Sequence, residues 1–298
     1  MMDSIPYFGE ISAFISAVFW AFAVILFKKS GERLHPIALN LFKISLSLFL
    51  FIPTMLIFNV AFFPSISWNE YFIFILSGVV GMVIGDTLFF KSLNCIGAGL
   101  SAIVDCLYSP FIIIMSMIWL AESLTVLQII GVALIVCAVL STLNIKKRIP
   151  VSHRELLRGI FWGILAIFAM SLSVVIMKPF LDRMAVLWVI MIRFVGALVG
   201  LLILLAFMPG RKQILAPLFS FRGFAYTFTG SFLGQYIAVI FWVIGFKFAQ
   251  ASEASAINQT SNIFVFIFAA LFLKEPFTIR RVIALILGIS GAFIVALG

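Results

Sequence analysis

The chain has 298 residues, of which 64% are apolar and 10% charged, with a formal net charge of +9. A soluble domain is about 45–50% apolar and about 25% charged, so this chain lacks the polar side chains to coat a water-soluble globule. That excludes a soluble enzyme, a disordered chain, a coiled coil and a disulfide scaffold, and it leaves a polytopic membrane protein.

A helix needs about 20 apolar residues to cross about 30 Å of hydrocarbon. Ten such runs follow one another, near Phe8–Phe27, Pro36–Asn59, Tyr71–Phe90, Gly97–Leu120, Leu124–Leu143, Leu156–Met177, Ala185–Phe207, Phe224–Gly245, Ala251–Leu273 and Val282–Leu297. Polar or turn-forming breaks such as Lys28–Gly31, Phe63–Ser65, Lys146–Pro150, Pro209–Lys212 and Lys274–Pro276 separate them. The runs are apolar all round and do not alternate, which argues for helices over a β-barrel. The first is flanked by Asp3 and Glu10, not by a basic cluster, and reads as a span rather than a secretory signal. Cys95, Cys106 and Cys137 lie in or beside apolar runs and read as packed free thiols.

The basic residues are spread over short loops, so the charge does not point to nucleic acid. Lys28, Lys43, Lys178 and Arg193 fall within or at the lip of helices. Of the remaining Lys and Arg, fourteen lie on the side opposite the termini, and two, Arg183 and Lys247, lie on the termini's side. The positive-inside rule then puts both termini outside and the Lys146–Arg158 connector in the cytoplasm.

That connector, 146–158, divides the chain into units 1–145 and 159–298 of five runs each. Gly9, Lys28 and Lys43 recur 150 residues later as Gly159, Lys178 and Arg193. From the third run the offset is 153: Gly81 matches Gly234, Asp105 matches Asn258, Glu122 matches Glu275 and Thr125 matches Thr278. The slip falls in a loop, where insertions are tolerated. Two units of five spans must lie in the membrane with opposite orientation, the inverted-repeat plan of many secondary transporters. The expected fold class is an all-α membrane protein, ten transmembrane helices as two inverted five-helix repeats.

An ionisable group at mid-bilayer costs about 2.5–3.5 kcal/mol on insertion scales and so needs a reason. Asp86 follows the glycine ladder Gly78, Gly81, Gly85; it either carries a proton or coupled charge or pairs with a Lys or Arg of a neighbouring helix. Asp105 has Ser101 and Ser109 four residues to either side, on one helix face, and Pro110 beyond, which removes a backbone N–H. It reads as a coupling or substrate-amine site, with Asn258 and Asn262 supplying neutral hydrogen bonds, or else all three are interhelical glue. Lys43 and Arg193 either attract a substrate carboxylate or neutralise an acid such as Asp105. Lys28 and Lys178 lie near helix ends, where snorkelling is cheap. Glu122 and Glu275 sit at helix starts and read as structural partners of the helix dipole. Trp20, Tyr108, Tyr236 and Trp242 either stack on a substrate or pack. There is no cluster with metal-ligand spacing, no phosphate-binding loop and no nucleophile–base pair, so no cofactor and no enzyme activity are expected.

The order of motifs resembles the drug/metabolite transporter superfamily, in the ten-span family with paired EamA domains. The first half offers Trp20 and Lys28, Pro36 and Lys43, Phe89-Phe90-Lys91-Ser92-Leu93, Ser101-Ala102, Pro110 and Ala121-Glu122-Ser123-Leu124-Thr125. The second offers Lys178, Arg193, Phe246, Ala254-Ser255-Ala256 and Glu275-Pro276-Phe277-Thr278, with Met170 in place of Trp20 and Ile263 in place of Pro110. Family members commonly have both termini in the cytoplasm, opposite to the loop count. The resemblance implies movement of small metabolites without ATP. The expected function is a secondary transporter of small organic metabolites such as amino acids, in the export direction, by alternating access in the cell membrane, with proton coupling as an option. Its partners are a small-molecule substrate and the lipid bilayer, with the oligomeric state open. An uncoupled facilitator or exchanger, or a flippase for lipid-linked substrates, is the alternative.

Overall fold

The computed structural model describes residues 7–120, 125–142, 152–219, 223–276 and 278–297, and every regular element among them is helical. Helices α1 (Phe8–Gly31) and α2 (Pro36–Ile57) open the chain. Pro36 occupies the first turn of α2, where no N–H is needed, and His35 Nδ1 accepts from the Ile37 N–H at 3.3 Å. Partial burial, then the nearby charge of Lys91, holds the His35 imidazole below its ordinary range. The cap needs the unprotonated ring. Its contribution is therefore complete above the ordinary pKa of about 6.5 and is lost as pH falls through the lower folded value. Exchange of the Ile37 amide is expected to accelerate on acidification relative to a His35→Asn variant, which keeps an acceptor that does not titrate.

Helix α3 (Trp68–Gly78) starts at a capping box of Ser67 and Glu70, passes through a π-helical turn at Val79–Gly85, and continues as α4 (Asp86–Asp105). Helices α5 (Tyr108–Leu120) and α6 (Val126–Thr142) complete the first half. In the second half α7 (His153–Leu181) begins inside the basic connector, because Ser152 and Glu155 form a second capping box ahead of the apolar run. Then come α8 (Val186–Ala206), a short α9 (Arg211–Leu215) and α10 (Phe224–Gly230). A second π-helical turn at Ser231–Ile237 leads into α11 (Ala238–Phe248). Helices α12 (Ala251–Asn258), α13 (Thr260–Leu273) and α14 (Ile279–Leu297) close the chain.

Among the described residues seven helical stretches are long and apolar enough to cross a membrane, and Val126–Ser141 is a shorter apolar helix. At the third and fourth of the ten expected runs the difference has a local cause. The third run and the start of the fourth form one stretch, Trp68–Asp105, bent at Gly97, whose φ of 80° and ψ of 173° leave the helical region. The rest of the fourth run is the separate helix α5.

The two halves interlock through matched pairs of helices: α1 lies on α11 and α7 on α4, while α8 packs on both α2 and α3, and α6 on α14. Close approach is needed at two of these crossings. A Cβ on Gly9 would stand 2.7 Å from the Phe248–Ala249 backbone, and one on its counterpart Gly159 would stand 2.3 Å from Ile96. The polarity of the molecule is inverted relative to a soluble protein. Phe49, Leu56, Ile118, Phe207 and Leu271 are exposed, while Asn40, Lys43, Asp86, Arg193, Gln259 and Asn262 are buried. Only hydrocarbon makes such a surface comfortable.

The charged residues near helix ends act as caps for neighbouring helices. Lys28 Nζ donates to the Asn94 carbonyl at 3.2 Å, and its counterpart Lys178 donates to the carbonyls of Phe246 and Ala249. A cation there satisfies orphan carbonyls and the negative end of the dipole. Glu275 caps a helix other than its own. Its carboxylate accepts from the N–H groups of Ala98 at 2.7 Å and Gly99 at 3.0 Å, just past the Gly97 bend, and lies 3.7 Å from Arg281. Glu122 and the run Lys146–Arg148 lie outside the described residues.

Candidate functional site

Two helical stretches are interrupted at corresponding positions, after Asp105 and after Asn258. In the first, Pro110 lacks the N–H that would bond the Cys106 carbonyl, and its ring crowds that carbonyl. In the second, side chains take over the carbonyls: Asn258 Nδ2 donates to Ala254 O at 2.9 Å and Thr260 Oγ1 to Ile257 O at 2.7 Å. Gln259 Nε2 donates to the Asp105 carbonyl at 3.2 Å and ties the breaks together. Asn262 donates to Gln259 Oε1 and, at 3.8 Å, to Cys106 Sγ.

The two π-helical turns also correspond, and each inserts a residue and re-aims a carbonyl. Asn40 Nδ2 donates to Met82 O at 2.6 Å within the first turn, and Ser16 Oγ donates to Ala238 O at 2.9 Å just after the second. Turns and breaks together wall a cavity of about 140 Å³. Helix α1 contributes Ser16, Ala17 and Trp20, and the first π turn with its exit contributes Gly81, Met82 and Asp86. Asp105 and Tyr108 come from the first break, Asn258, Gln259 and Ser261 from the second, and Met170 and Ser173 from α7. The second π turn and α11 give Gly234, Gln235, Ala238, Val239 and Trp242, and α8 adds Arg193.

Of the residues singled out from the sequence, Trp20, Asp86, Asp105, Tyr108, Arg193, Trp242 and Asn258 line this cavity, and Tyr236 does not. Lys43 and Asn262 stand behind its wall. Lys43 is fully buried, pairs with Asp86 and sits over the rings of Phe27 at 5.9 Å and Phe90 at 5.1 Å. The alternative in which Lys43 neutralises Asp105 is thereby corrected: Asp86 is the nearer acid, one helix crossing away. Asp105 takes part in no ion pair among the described residues. Arg193 donates to Ser173 Oγ at 2.9 Å and lies over the Trp242 ring at 5.3 Å. Among the described residues the buried Tyr108 hydroxyl has no partner in hydrogen-bond geometry, and it lies within electrostatic reach of both Asp105 and Arg193. Ser16, Ser173, Gln235 and Ser261 complete the lining and were not among the sequence candidates. For Gln235 a signal existed, since it is the one amide in its apolar run. Among the described residues no group of three or more His, Cys, Asp or Glu could hold a metal ion.

The model of the EamA-like transporter family matches residues 7–144 and again 157–297. The chain belongs to that family. This EamA-like transporter is 23% identical over 284 residues to an uncharacterized transporter of Archaeoglobus fulgidus, covering 95% of this chain and 93% of the relative. It is 26% identical over 299 residues to an uncharacterized transporter of Methanothermobacter thermautotrophicus, covering 96% and 85%. A solved crystal structure superimposes with a TM-score of 0.71 at 15% identity, covering 96% of this chain and 95% of that one, and so shares its fold. The EamA-like transporter is thus a multi-pass membrane protein of the drug/metabolite transporter superfamily, and not an enzyme.

Proposed function

We propose that the protein is a secondary, ATP-independent transporter of small organic metabolites such as amino acids, working by alternating access in the export direction. The chain crosses the membrane ten times as two inverted five-helix repeats, 1–145 and 159–298, joined by the basic connector. In this reading the stretch Trp68–Asp105 and α5 together make two spans that meet at Gly97. The observation that carries the reading is the cavity itself: one chamber is walled by corresponding breaks and corresponding π turns from both halves. Broken helices with polar ends converging between repeats are the usual construction of a transporter site. Two similar halves can exchange conformations, so that the chamber opens to one face and then to the other.

Asp105 is the substrate-amine or proton-coupling group, with Asn258 and Asn262 supplying neutral hydrogen bonds. Its support is placement: a carboxylate on the cavity wall, outside any ion pair among the described residues, is kept at a cost that function must offset. Flux of a panel of labelled solutes into proteoliposomes, with and without a pH gradient, tests this. Asp105→Asn is expected to lower flux at least tenfold or to abolish its dependence on the gradient. Unchanged flux with unchanged pH dependence contradicts the role of Asp105.

A further inference from the structure

Lys43 and Arg193 are counterparts at the 150-residue offset, yet their surroundings differ. Lys43 has a carboxylate of its own in Asp86. At the 153-residue offset the counterpart of Asp86 is Val239. Arg193 is only 3% exposed; it spends one hydrogen bond on Ser173, and its Nε and Nη1 have no hydrogen-bond partner among the described residues. Asp86 lies within electrostatic reach of Arg193, but its Oδ2 is held by Lys43. The wall therefore holds the carboxylates of Asp86 and Asp105, of which Asp86 pairs with Lys43 behind it, and among the described residues Arg193 forms an ion pair with neither. Trp242 under the guanidinium favours the positive charge but offers no acceptor.

A buried cation without a counter-ion is costly, and chains retain one where something completes it. We propose that Arg193 is the receptor for a carboxylate of the transported solute, which supplies the acid that the second half lacks. A planar guanidinium suits a carboxylate better than a point charge does. The chamber, about 140 Å³ and largely apolar, sets the rest of the solute. A comparable cavity of about 150 Å³ holds one benzene, so the carboxylate comes with a small apolar body. This rests on the transporter reading above, and the test separates the two.

The probes are L-leucine, its deaminated analogue 4-methylpentanoate and its decarboxylated analogue 3-methylbutylamine, each added to purified protein in nanodiscs during thermal unfolding. Leucine and 4-methylpentanoate are expected to raise the midpoint by about 5 °C at a hundredfold excess over Kd, and the amine, which can meet Asp105 but not Arg193, to raise it by less. Arg193→Gln is expected to unfold at a higher temperature than the native protein without ligand, since it removes an unpaired buried charge, and to respond to leucine no more than to the amine and to 4-methylpentanoate not at all. Val239→Asp, which restores in the second half the acid present in the first, is expected to raise the unliganded midpoint and lose the carboxylate response. A response to the amine equal to that of leucine overturns the proposal. So does the absence of any carboxylate response, or a 4-methylpentanoate response that survives in Arg193→Gln. Labelled leucine flux in proteoliposomes is measured in parallel. An Arg193-dependent midpoint shift with no flux of any solute sinks the transporter reading and leaves the carboxylate site standing.

Discussion

Lys43→Met is expected to lower stability by about 3–5 kcal/mol, the usual result of removing one partner from a buried ion pair. For a chain of this size that corresponds to a fall of about 10 °C in the unfolding midpoint. The cause is the carboxylate left behind. Asp86 is 7% exposed, and its pair with Lys43 is its one ion pair among the described residues. Replacing both partners, Lys43→Met with Asp86→Leu, is expected to recover most of the loss, because neither charge is then stranded. If the single variant unfolds at the native midpoint, Lys43 and Asp86 are not the pair that neutralises this wall. The contrast with Arg193 is the instructive part. The same position in the repeat is expected to be destabilising to neutralise in the first half and stabilising in the second.

Gly97→Ala is expected to cost about 3 kcal/mol, more than half of it from backbone strain. The φ of 80° and ψ of 173° at Gly97 lie in a region that residues with a Cβ avoid. The added methyl group would also stand 2.6 Å from Glu275 Oε1, the oxygen that caps Ala98. Losing that cap adds about 1 kcal/mol. Gly210→Ala is the control. Its φ of 72° is positive as well, but the nearest atom to an added Cβ is 3.5 Å away, so a cost of about 1 kcal/mol is expected. Thermal unfolding of the two variants side by side reads the difference. The functional consequence follows from position: residues 98–105 form a short rod from the capped bend to Asp105 on the cavity wall. Gly97→Ala is therefore expected to lower flux as well, whereas Gly210→Ala leaves it near native.

The spans were legible because hydrocarbon imposes a crude rule, and runs of apolar residues obey it. The breaks at Asp105 and Asn258 were half legible. Pro110 announced the first, and the second could be placed only through the repeat offset, since Asn258 and Thr260 achieve it with side chains. The π turns left no such mark. One extra residue in a helix does not change an all-apolar run, although Gly81 and Gly234 stood at matching positions inside them. Partner choice was out of reach for a different reason. Lys43 could have met Asp86 or Asp105, and Glu275 could have capped its own helix, and only the crossing of helices decides. Ser16 and Ser173 were invisible because a serine in an apolar helix looks the same whether it faces a carbonyl, a neighbour or a cavity.

Alternating access requires one chamber reached from both faces in turn. Met170 lines that chamber from α7, at the position where the first half has Trp20. A Met170→Cys variant, with Cys95, Cys106 and Cys137 replaced, is to be reconstituted in oriented vesicles. It is then labelled with a membrane-impermeant thiol reagent applied to one face at a time. Labelling from either face, with the balance between faces shifted by a transported solute, is the expected result; labelling from one face only, unmoved by any solute that the protein carries, would contradict alternating access.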